Sequence, residues 1–320
     1  MRLLVTGGAG FIGSNFIRHM FSSHTDCEIV NFDLLTYAGN PQNLQGVDTK
    51  SGYTFIQGDI CDRDIVMATL DRFDVDAIVH FAAESHVDRS ITDSSAFVRT
   101  NVLGTHTLLD AARLHEIPRF IHISTDEVYG STAGKSFREE DILTPSSPYS
   151  ASKAGSDLLA LSYGMTYHLP VIVTRCTNNF GPYQYPEKLI PLFVTNLMEG
   201  KKVPVYGTGK NVRDWIHVND HCRAVEFLLE RGVPGEVYNI GGGNEKTNFE
   251  ITEKIIQLLN KDESMIQYVA DRPGHDFRYS LDCSKLQKMG WTPCYTFDDA
   301  LRETVVWYTR NEWWWRPLKK

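Results

Sequence analysis

The 320-residue sequence lacks the features that identify several classes of protein. It has no run of about 18 apolar residues, so we expect no transmembrane helix. Its six cysteines include no Cys-x-x-Cys pair, which favours free buried thiols over disulfides or a zinc site. The net charge is −8 and no cluster of Lys and Arg stands out, which argues against a nucleic-acid surface. No repeat, low-complexity tract or signal-peptide pattern is present, and a cytoplasmic globular protein is expected.

Metal binding is also not expected. His217 and His221 have a spacing seen in metal sites, but the segment reads as a strand end running into a helix. No third ligand is evident near them, and a protein-bound zinc ion needs at least three. The sequence therefore predicts no metal.

Short apolar runs alternate with helical stretches through the first half of the chain. This alternation is typical of βαβ units, and it predicts an α/β fold with a Rossmann-type doubly wound parallel sheet. After Asn178, prolines and tyrosines break the pattern, which indicates a smaller interleaved α/β substrate-binding domain. We predict a Rossmann domain over residues 1–177, with segments at about 213–241 returning to it. Residues 178–320 mainly form the second domain.

A glycine-rich turn joins the first predicted strand to the first helix. Its glycines at 7, 10 and 13 allow a tight turn and let the backbone approach a pyrophosphate at the helix N-terminus. Asp33 ends the second strand twenty residues after Gly13, where a carboxylate binds the ribose 2′-hydroxyl and repels a 2′-phosphate. The sequence therefore predicts NAD as the cofactor.

The segment from Ser124 to Gly130 follows a predicted buried strand, and Tyr149 and Lys153 follow a little later. Strand ends line the ligand crevice of open α/β sheets. Tyr149 and Lys153 are four residues apart on a predicted helix and share one face. An ammonium group near a phenol favours the phenolate, which can accept a proton from a substrate hydroxyl as a hydride leaves its carbon.

The adjacent carboxylates Asp126 and Glu127 indicate a second, acid/base step. One would have to stay protonated near pH 7, which requires a pKa shift of about three units, or about 4 kcal/mol. A neighbouring carboxylate and an apolar pocket can supply such a shift. The pair would titrate as a unit, so the residues alone leave open which is acid and which is base. In the alternative interpretation, both cap a short helical turn and face solvent.

These motifs together resemble the extended short-chain dehydrogenase/reductases, a family of nucleotide-sugar enzymes, and within it the 4,6-dehydratases. The resemblance covers nearly the whole chain, and Thr125-Asp126-Glu127 is its most specific part. It implies that NAD is recycled while dTDP-glucose loses water to give a 4-keto-6-deoxy sugar. Tyr149 would deprotonate the 4-hydroxyl, Thr125 would bind that oxygen, Glu127 would remove the C5 proton and Asp126 would protonate the departing 6-hydroxyl.

The same resemblance implies two sets of binding residues. The NAD set is Gly7, Gly10, Phe11, Ile12, Gly13, Asp33, Leu34, Leu35, Thr36, Asp59, Ile60, Phe81, Ala82, Ala83, Ser85, Thr100, Tyr149, Lys153 and Asn179. The substrate set is Ser85, Thr125, Asn178, Lys188, Leu189, Pro204, Val205, Tyr206, Arg213, Asn248, Asp271, Arg272 and His275.

Several alternatives stay open at this stage. A UDP-sugar dehydratase, an epimerase or decarboxylase of the same fold, and a non-catalytic NAD-binding protein all fit parts of the pattern. The loop between Thr125 and Tyr149 is short for the family, so the hexose is less well defined than the reaction. The resemblance implies a homodimer formed by helices near 94–115 and 148–167, although their apolar faces could equally be buried within one subunit.

Overall fold

The computed structural model describes residues 1–271 and 276–319. Its main sheet has seven parallel strands in the order β3-β2-β1-β4-β5-β6-β10. These strands are β1 (Arg2–Thr6), β2 (Glu28–Asp33), β3 (Tyr53–Gln57), β4 (Ala77–His80), β5 (Phe120–Thr125), β6 (Val171–Cys176) and β10 (Val237–Ile240). The order reverses direction between β1 and β4, and this switch point is where open α/β sheets bind ligands. The predicted Rossmann-type fold is confirmed.

Helices cover both faces of the main sheet. One face packs α1 and α8 against a core that includes Phe16, Ile29 and Leu228, and the other packs α2, α5 and α6. The helices are α1 (Phe11–Ser23), α2 (Arg63–Arg72), α3 (Val87–Thr92), α4 (Ser95–Phe97), α5 (Thr105–Leu114), α6 (Pro148–Tyr167), α7 (Leu189–Met198), α8 (Val218–Arg231), α9 (Asn248–Leu258), α10 (Ser284–Lys288), α11 (Phe297–Arg310) and α12 (Glu312–Trp315). A π-helical stretch, Val98–Gly104, joins α4 to α5, and short 3-10 turns occur at Pro41–Leu44, Asp126–Tyr129, Glu263–Met265 and Arg316–Leu318.

A second core lies beyond residue 178. It is built from α7, α9 and α11 around residues such as Phe193, Ile255 and Leu301, and the buried Trp314 and Trp315 close it. Two small sheets border it. One contains β7 (Asn178–Phe180), β9 (Val212–His217) and β11 (Glu245–Thr247), and the other contains β8 (Val203–Tyr206) and β12 (Ile266–Val269).

The segment predicted to return to the Rossmann domain does so only in part. β10 pairs with β6 at the edge of the main sheet, and α8 packs against α1. The strand that contains Arg213 pairs instead with β7 and β11 in a small sheet. The division into two domains near residue 177 stays a prediction. Among the described residues, no helix is long and apolar enough to cross a membrane.

Candidate active site

The glycine-rich turn between β1 and α1 forms the floor of a cleft. Gly7 has φ +70°, and a Cβ atom there would lie 2.6 Å from the backbone nitrogen of Ala82 at the end of β4. A Cβ atom on Gly13 would lie 2.3 Å from the Gly7 carbonyl oxygen. Only glycine fits at either position, because the backbone packs this tightly. The turn therefore presents bare backbone at the N-terminus of α1, as a bound pyrophosphate requires.

Asp33 stands beside this turn at the end of β2. One carboxylate oxygen accepts a hydrogen bond from the Ala9 backbone N–H at 2.9 Å, and the other accepts one from the Leu35 N–H at 2.8 Å. Burial raises the pKa of the Asp33 carboxyl, although both hydrogen bonds act in the opposite direction. Leu35 adopts φ 58°, which turns the chain back so that its N–H reaches the carboxylate. The carboxylate is thus held where the fold places an adenosine ribose.

The two adjacent carboxylates lie in the 3-10 turn that follows β5. Thr125 caps this turn: its hydroxyl accepts a hydrogen bond from the Glu127 N–H at 3.3 Å and donates one to Asp126 Oδ1 at 3.1 Å. The alternative interpretation, in which Asp126 and Glu127 cap the turn and face solvent, does not match this geometry, because Thr125 is the cap. Asp126 is only 3% exposed.

The surroundings of Asp126 change its acidity. Burial first, and then the charge of Glu127, raise the pKa of this carboxyl to about 8, although Arg213 and the Thr125 hydroxyl act to lower it. Asp126 Oδ2 has no hydrogen-bond partner among the described residues. A neutral carboxylic acid with one free oxygen is the form required of a general acid, so the predicted raised pKa matches the structure.

Tyr149 and Lys153 stand on α6, which begins where the sequence predicts. Ser147 caps the helix in a capping box with Ser150, and Pro148 occupies the first turn. Both Tyr149 and Lys153 are buried, and Lys153 Nζ donates a hydrogen bond to the Ile123 carbonyl at 2.6 Å. Burial and then the Glu127 charge raise the pKa of Tyr149 well above its usual value, while the Thr125 hydroxyl lowers it. Lys153 is not among the main groups that shift the pKa of Tyr149, so the lowering that the helical spacing predicts is not seen here.

One cleft of about 320 Å³ contains most of the predicted residues. The five proposed catalytic residues line it, together with Asn178, Lys188 and every residue of the predicted NAD set except Leu35. Leu35 does not line the cleft, but its backbone N–H donates a hydrogen bond to the Asp33 carboxylate, which does. The cleft therefore joins the glycine turn and the adjacent carboxylates in one continuous space.

The remaining predicted substrate residues lie outside the lining of this cleft. Arg213 is buried, stacks on the Tyr279 ring at 4.1 Å and donates to the carbonyls of Val212, Asp276 and Phe277. Val205 is buried, and its side chain packs in the second core. The others outside the lining are Leu189, Pro204, Tyr206, Asn248 and Asp271, and Arg272 and His275 lie outside the described residues.

The structure adds residues that the sequence analysis missed. Tyr37, Glu187 and Trp314 also line the cleft. Asn179 Oδ1 lies 2.9 Å from Nδ1 of the buried His221, so a histidine considered as a metal ligand instead positions an NAD-set residue. These residues are far apart in sequence, and no local pattern connects them.

Comparisons with known proteins agree with this geometry. The family model described as GDP-mannose 4,6 dehydratase matches residues 4–304. A dTDP-glucose 4,6-dehydratase of Streptomyces niveus is 54% identical, with 100% of this chain and 96% of the relative covered. The crystal structure of DesIV, a dTDP-glucose 4,6-dehydratase from Streptomyces venezuelae with NAD and dTDP bound, superposes with a TM-score of 0.97 at 54% identity over 100% of both chains. A UDP-glucose 4-epimerase of Thermus thermophilus, in complex with NAD, gives a TM-score of 0.90 at 30% identity, with 97% of this chain and 100% of that chain covered.

The chain therefore belongs to the nucleotide-sugar 4,6-dehydratases of the extended short-chain dehydrogenase/reductase family. The two relatives at 54% identity are both dTDP-glucose 4,6-dehydratases, whereas the epimerase stands at 30%. The predicted family is confirmed.

Proposed function

We propose that this protein is a dTDP-glucose 4,6-dehydratase, which converts dTDP-glucose to dTDP-4-keto-6-deoxyglucose and water. The observation that carries the proposal is the buried Asp126, whose raised pKa places a neutral acid next to Glu127 in the cleft that also holds Tyr149 and Lys153. A dehydrogenase or epimerase needs the Tyr and Lys but has no use for this acid. The relatives at 54% identity carry the same activity in their names.

NAD fits the nucleotide side of the cleft. The bare glycine turn, the Asp33 carboxylate and the small residues Ala82 and Ala83 leave room for a dinucleotide across the carboxyl ends of the strands. When bound, NAD accepts the hydride from C4 of the sugar and returns it to C6. DesIV is solved with NAD bound, which supports the same cofactor here.

The oxidation step falls to Tyr149, Lys153 and Thr125. Tyr149 accepts the proton of the sugar 4-hydroxyl, and Thr125 binds the same sugar oxygen. The Thr125 hydroxyl also hydrogen-bonds Tyr149 and lowers its pKa. Burial lowers the pKa of Lys153 to about 8, so the group is still predominantly charged at neutral pH and can stabilise the phenolate. Removing a proton and a hydride from C4 leaves a ketone there.

The elimination step falls to the adjacent carboxylates. The 4-ketone acidifies the C5 hydrogen, which Glu127 removes as a base. Asp126, neutral below about pH 8, donates its proton to the 6-hydroxyl as the C6–O bond breaks and water leaves. Return of the hydride to C6, with a proton to C5, completes the 4-keto-6-deoxy product.

We assign the binding of the substrate diphosphate and base mainly to the second region of the chain, which is the part from residue 178 onward. Asn178 and Lys188 line the cleft, and Lys188 Nζ donates to the Ser85 carbonyl at 3.0 Å. Arg213 lies close enough to Asp126 to affect its pKa, which supports a place at the sugar end of the cleft. The other predicted substrate residues, including Arg272 and His275, remain assigned by resemblance alone.

A homodimer and a cytoplasmic location complete the proposal. The face formed by the π-helical stretch and α6 exposes several apolar side chains, among them Val98, Leu103 and Leu158. An exposed apolar face of this kind is typical of a subunit interface. All six cysteines are free thiols, as in proteins of reducing compartments.

The product mass tests this function. The purified protein, without added cofactor, is incubated with dTDP-glucose and separately with UDP-glucose. We expect dTDP-glucose to lose one water faster, with no net accumulation of NADH. Faster turnover of UDP-glucose would show that the proposed substrate is wrong. An unchanged mass with both sugars, even after NAD is added, would contradict the dehydratase assignment.

A further inference from the structure

A buried carboxylate that the proposed mechanism does not use lies one helical turn beyond Lys153. Asp157 follows Lys153 by four residues on α6, just as Lys153 follows Tyr149, so the three side chains share one face of the helix. Asp157 is 0% exposed. A buried charge with no role is costly, so its surroundings should show what it does.

Two neighbouring strands hold this carboxylate in place. Arg175 on β6 donates from Nε to Asp157 Oδ2 at 2.9 Å, and its Nη1 donates to the Tyr129 hydroxyl at 2.7 Å. His122 Nε2 on β5 lies 3.4 Å from Asp157 Oδ1. Burial acts to raise the pKa of Asp157, but His122, Arg175 and the Ser124 hydroxyl together lower it, so the carboxylate is charged. Tyr129 ends the turn that contains Asp126 and Glu127, so the same network supports both parts of the active site.

Among the described residues, no carboxylate lies within salt-bridge distance of Lys153. Its ammonium group donates a hydrogen bond to the neutral carbonyl of Ile123. Burial lowers the pKa of Lys153, and the two groups that oppose this are Asp157 first and then the Cys176 thiol on β6. Burial also raises the pKa of Cys176 to about 12, so Cys176 is a neutral thiol near pH 7. Asp157 is then the remaining negative charge that favours the ammonium form.

The titratable groups described on β4, β5, β6 and α6 near Lys153 supply no other negative charge, and Asp126 and Glu127 act on Tyr149 rather than on Lys153. His80 on β4 and His122 on β5 are fully buried, and burial lowers the pKa of both, with the Lys153 charge adding to the effect. Both are neutral near pH 7. Tyr149 on α6 is a neutral phenol until it acts, and Arg175 on β6 is positive.

We propose that Asp157 is a positioning residue that keeps the Lys153 ammonium charged beside Tyr149 during the oxidation step. Arg175 and His122 fix the Asp157 carboxylate in the core, one helical turn beyond Lys153 on the same face of α6. The inference rests on the proposed function, because it concerns the base that oxidises the sugar. It makes α6 a continuous line of three functional side chains rather than two.

The direction of the expected effect follows from charge. Without Asp157, the Lys153 ammonium loses the charge that opposes its burial, and Lys153 becomes neutral at a lower pH. The alkaline limb of the oxidation rate should therefore move to lower pH. We expect a shift of about one pH unit, typical of the loss of one nearby charge. The KM for dTDP-glucose and the amount of bound NAD should stay unchanged.

The test measures NADH formation from dTDP-glucose against pH in a Glu127→Gln background, which isolates oxidation from elimination. Asp157→Asn leaves Arg175 unpaired in the core and can unfold the protein. Where the single variant does not fold, the double variant Asp157→Asn with Arg175→Gln is compared with Arg175→Gln alone, so that the two proteins differ only at Asp157 and the shift is read between them. Asp157→Glu keeps the charge and should restore the profile toward the original. Asp110→Asn, which removes a half-buried carboxylate paired with Arg113 on α5, is the matched control.

A shifted alkaline limb in the Asn variants, with Asp157→Glu close to the parent, supports the inference. A slower rate with an unshifted limb in the Asn variants would show a merely structural role and overturn it. If the Glu127→Gln parent formed no NADH from dTDP-glucose, the proposed function would fail first, and the inference with it.

Discussion

At the scale of single residues, the chemistry of this site depends on environment more than on residue type. Asp126 and Glu127 are neighbours in sequence, yet Asp126 is buried to 3% exposure and its pKa rises to about 8. Two identical functional groups can therefore act as acid and base at the same pH, because their surroundings differ.

The first prediction concerns Glu127. Glu127→Gln removes the base but leaves Tyr149 and Lys153 intact, so NADH should form with dTDP-glucose while water loss falls by about 10²- to 10⁴-fold. NADH absorbance and product mass measure the two steps separately. Glu140→Gln, in the exposed loop before α6, should behave as the unsubstituted protein. Product formation at a near-normal rate by Glu127→Gln would remove Glu127 from the mechanism.

The second prediction concerns the pH dependence of elimination. In the proposed mechanism Asp126 donates a proton, so its acid form must be present, and that form is lost as pH rises through about 8. The rate at which accumulated NADH disappears in a single turnover should therefore fall above this pH. Asp126→Asn should lose both the rate and this dependence. A rate constant that does not change as pH crosses 8 would assign the proton to another group.

At the scale of elements, the cleft is closed by side chains from three separate segments. Glu187, between β7 and α7, accepts a hydrogen bond from the Tyr37 hydroxyl at 3.0 Å and one from Arg89 at 3.3 Å. The Arg89 guanidinium also lies 3.6 Å from the centre of the Tyr37 ring. Tyr37 follows β2 and Arg89 belongs to α3, so these contacts join both sides of the nucleotide site to the second region of the chain.

The third prediction follows from this closure. Glu187→Ala removes the acceptor for both Tyr37 and Arg89, so NAD should leave more readily and the purified protein should carry less of it. The NAD released on denaturation, per mole of protein, measures this directly, and added NAD should restore activity. Glu140→Ala is the control. An unchanged NAD content would show that the contacts do not retain the cofactor.

Sequence patterns define the local elements well and the long-range contacts poorly. The predicted bounds of α6 agree with the structure because Ser147 and Pro148 mark the start of the helix. The parallel sheet is also predictable, because apolar runs and helical stretches alternate regularly in the sequence. The assignment of the Arg213 strand to a small sheet depends on pairing with β7 and β11, which no local pattern encodes. Likewise, Tyr37 and Glu187 are 150 residues apart and meet only in the fold.

At the scale of the whole molecule, the exposed apolar face on α6 provides the fourth prediction. Leu158 is 60% exposed there, beside a groove lined by Val98, Val102 and Leu103. Leu158→Glu places a charge in the proposed interface and should convert a dimer into a monomer in light scattering. The matched control is Ile142→Glu, because Ile142 lies in the loop before α6 and is 82% exposed. A parent protein that is already monomeric would contradict the proposed homodimer.

The central claim is that one cleft oxidises C4, expels water and reduces C6 of the same sugar. The most direct measurement follows a deuterium label placed at C4 of dTDP-glucose, with the product analysed by mass and by NMR. We expect a product that has lost one water and carries the deuterium at C6. Deuterium that stays at C4, in a sugar of unchanged formula, would contradict it.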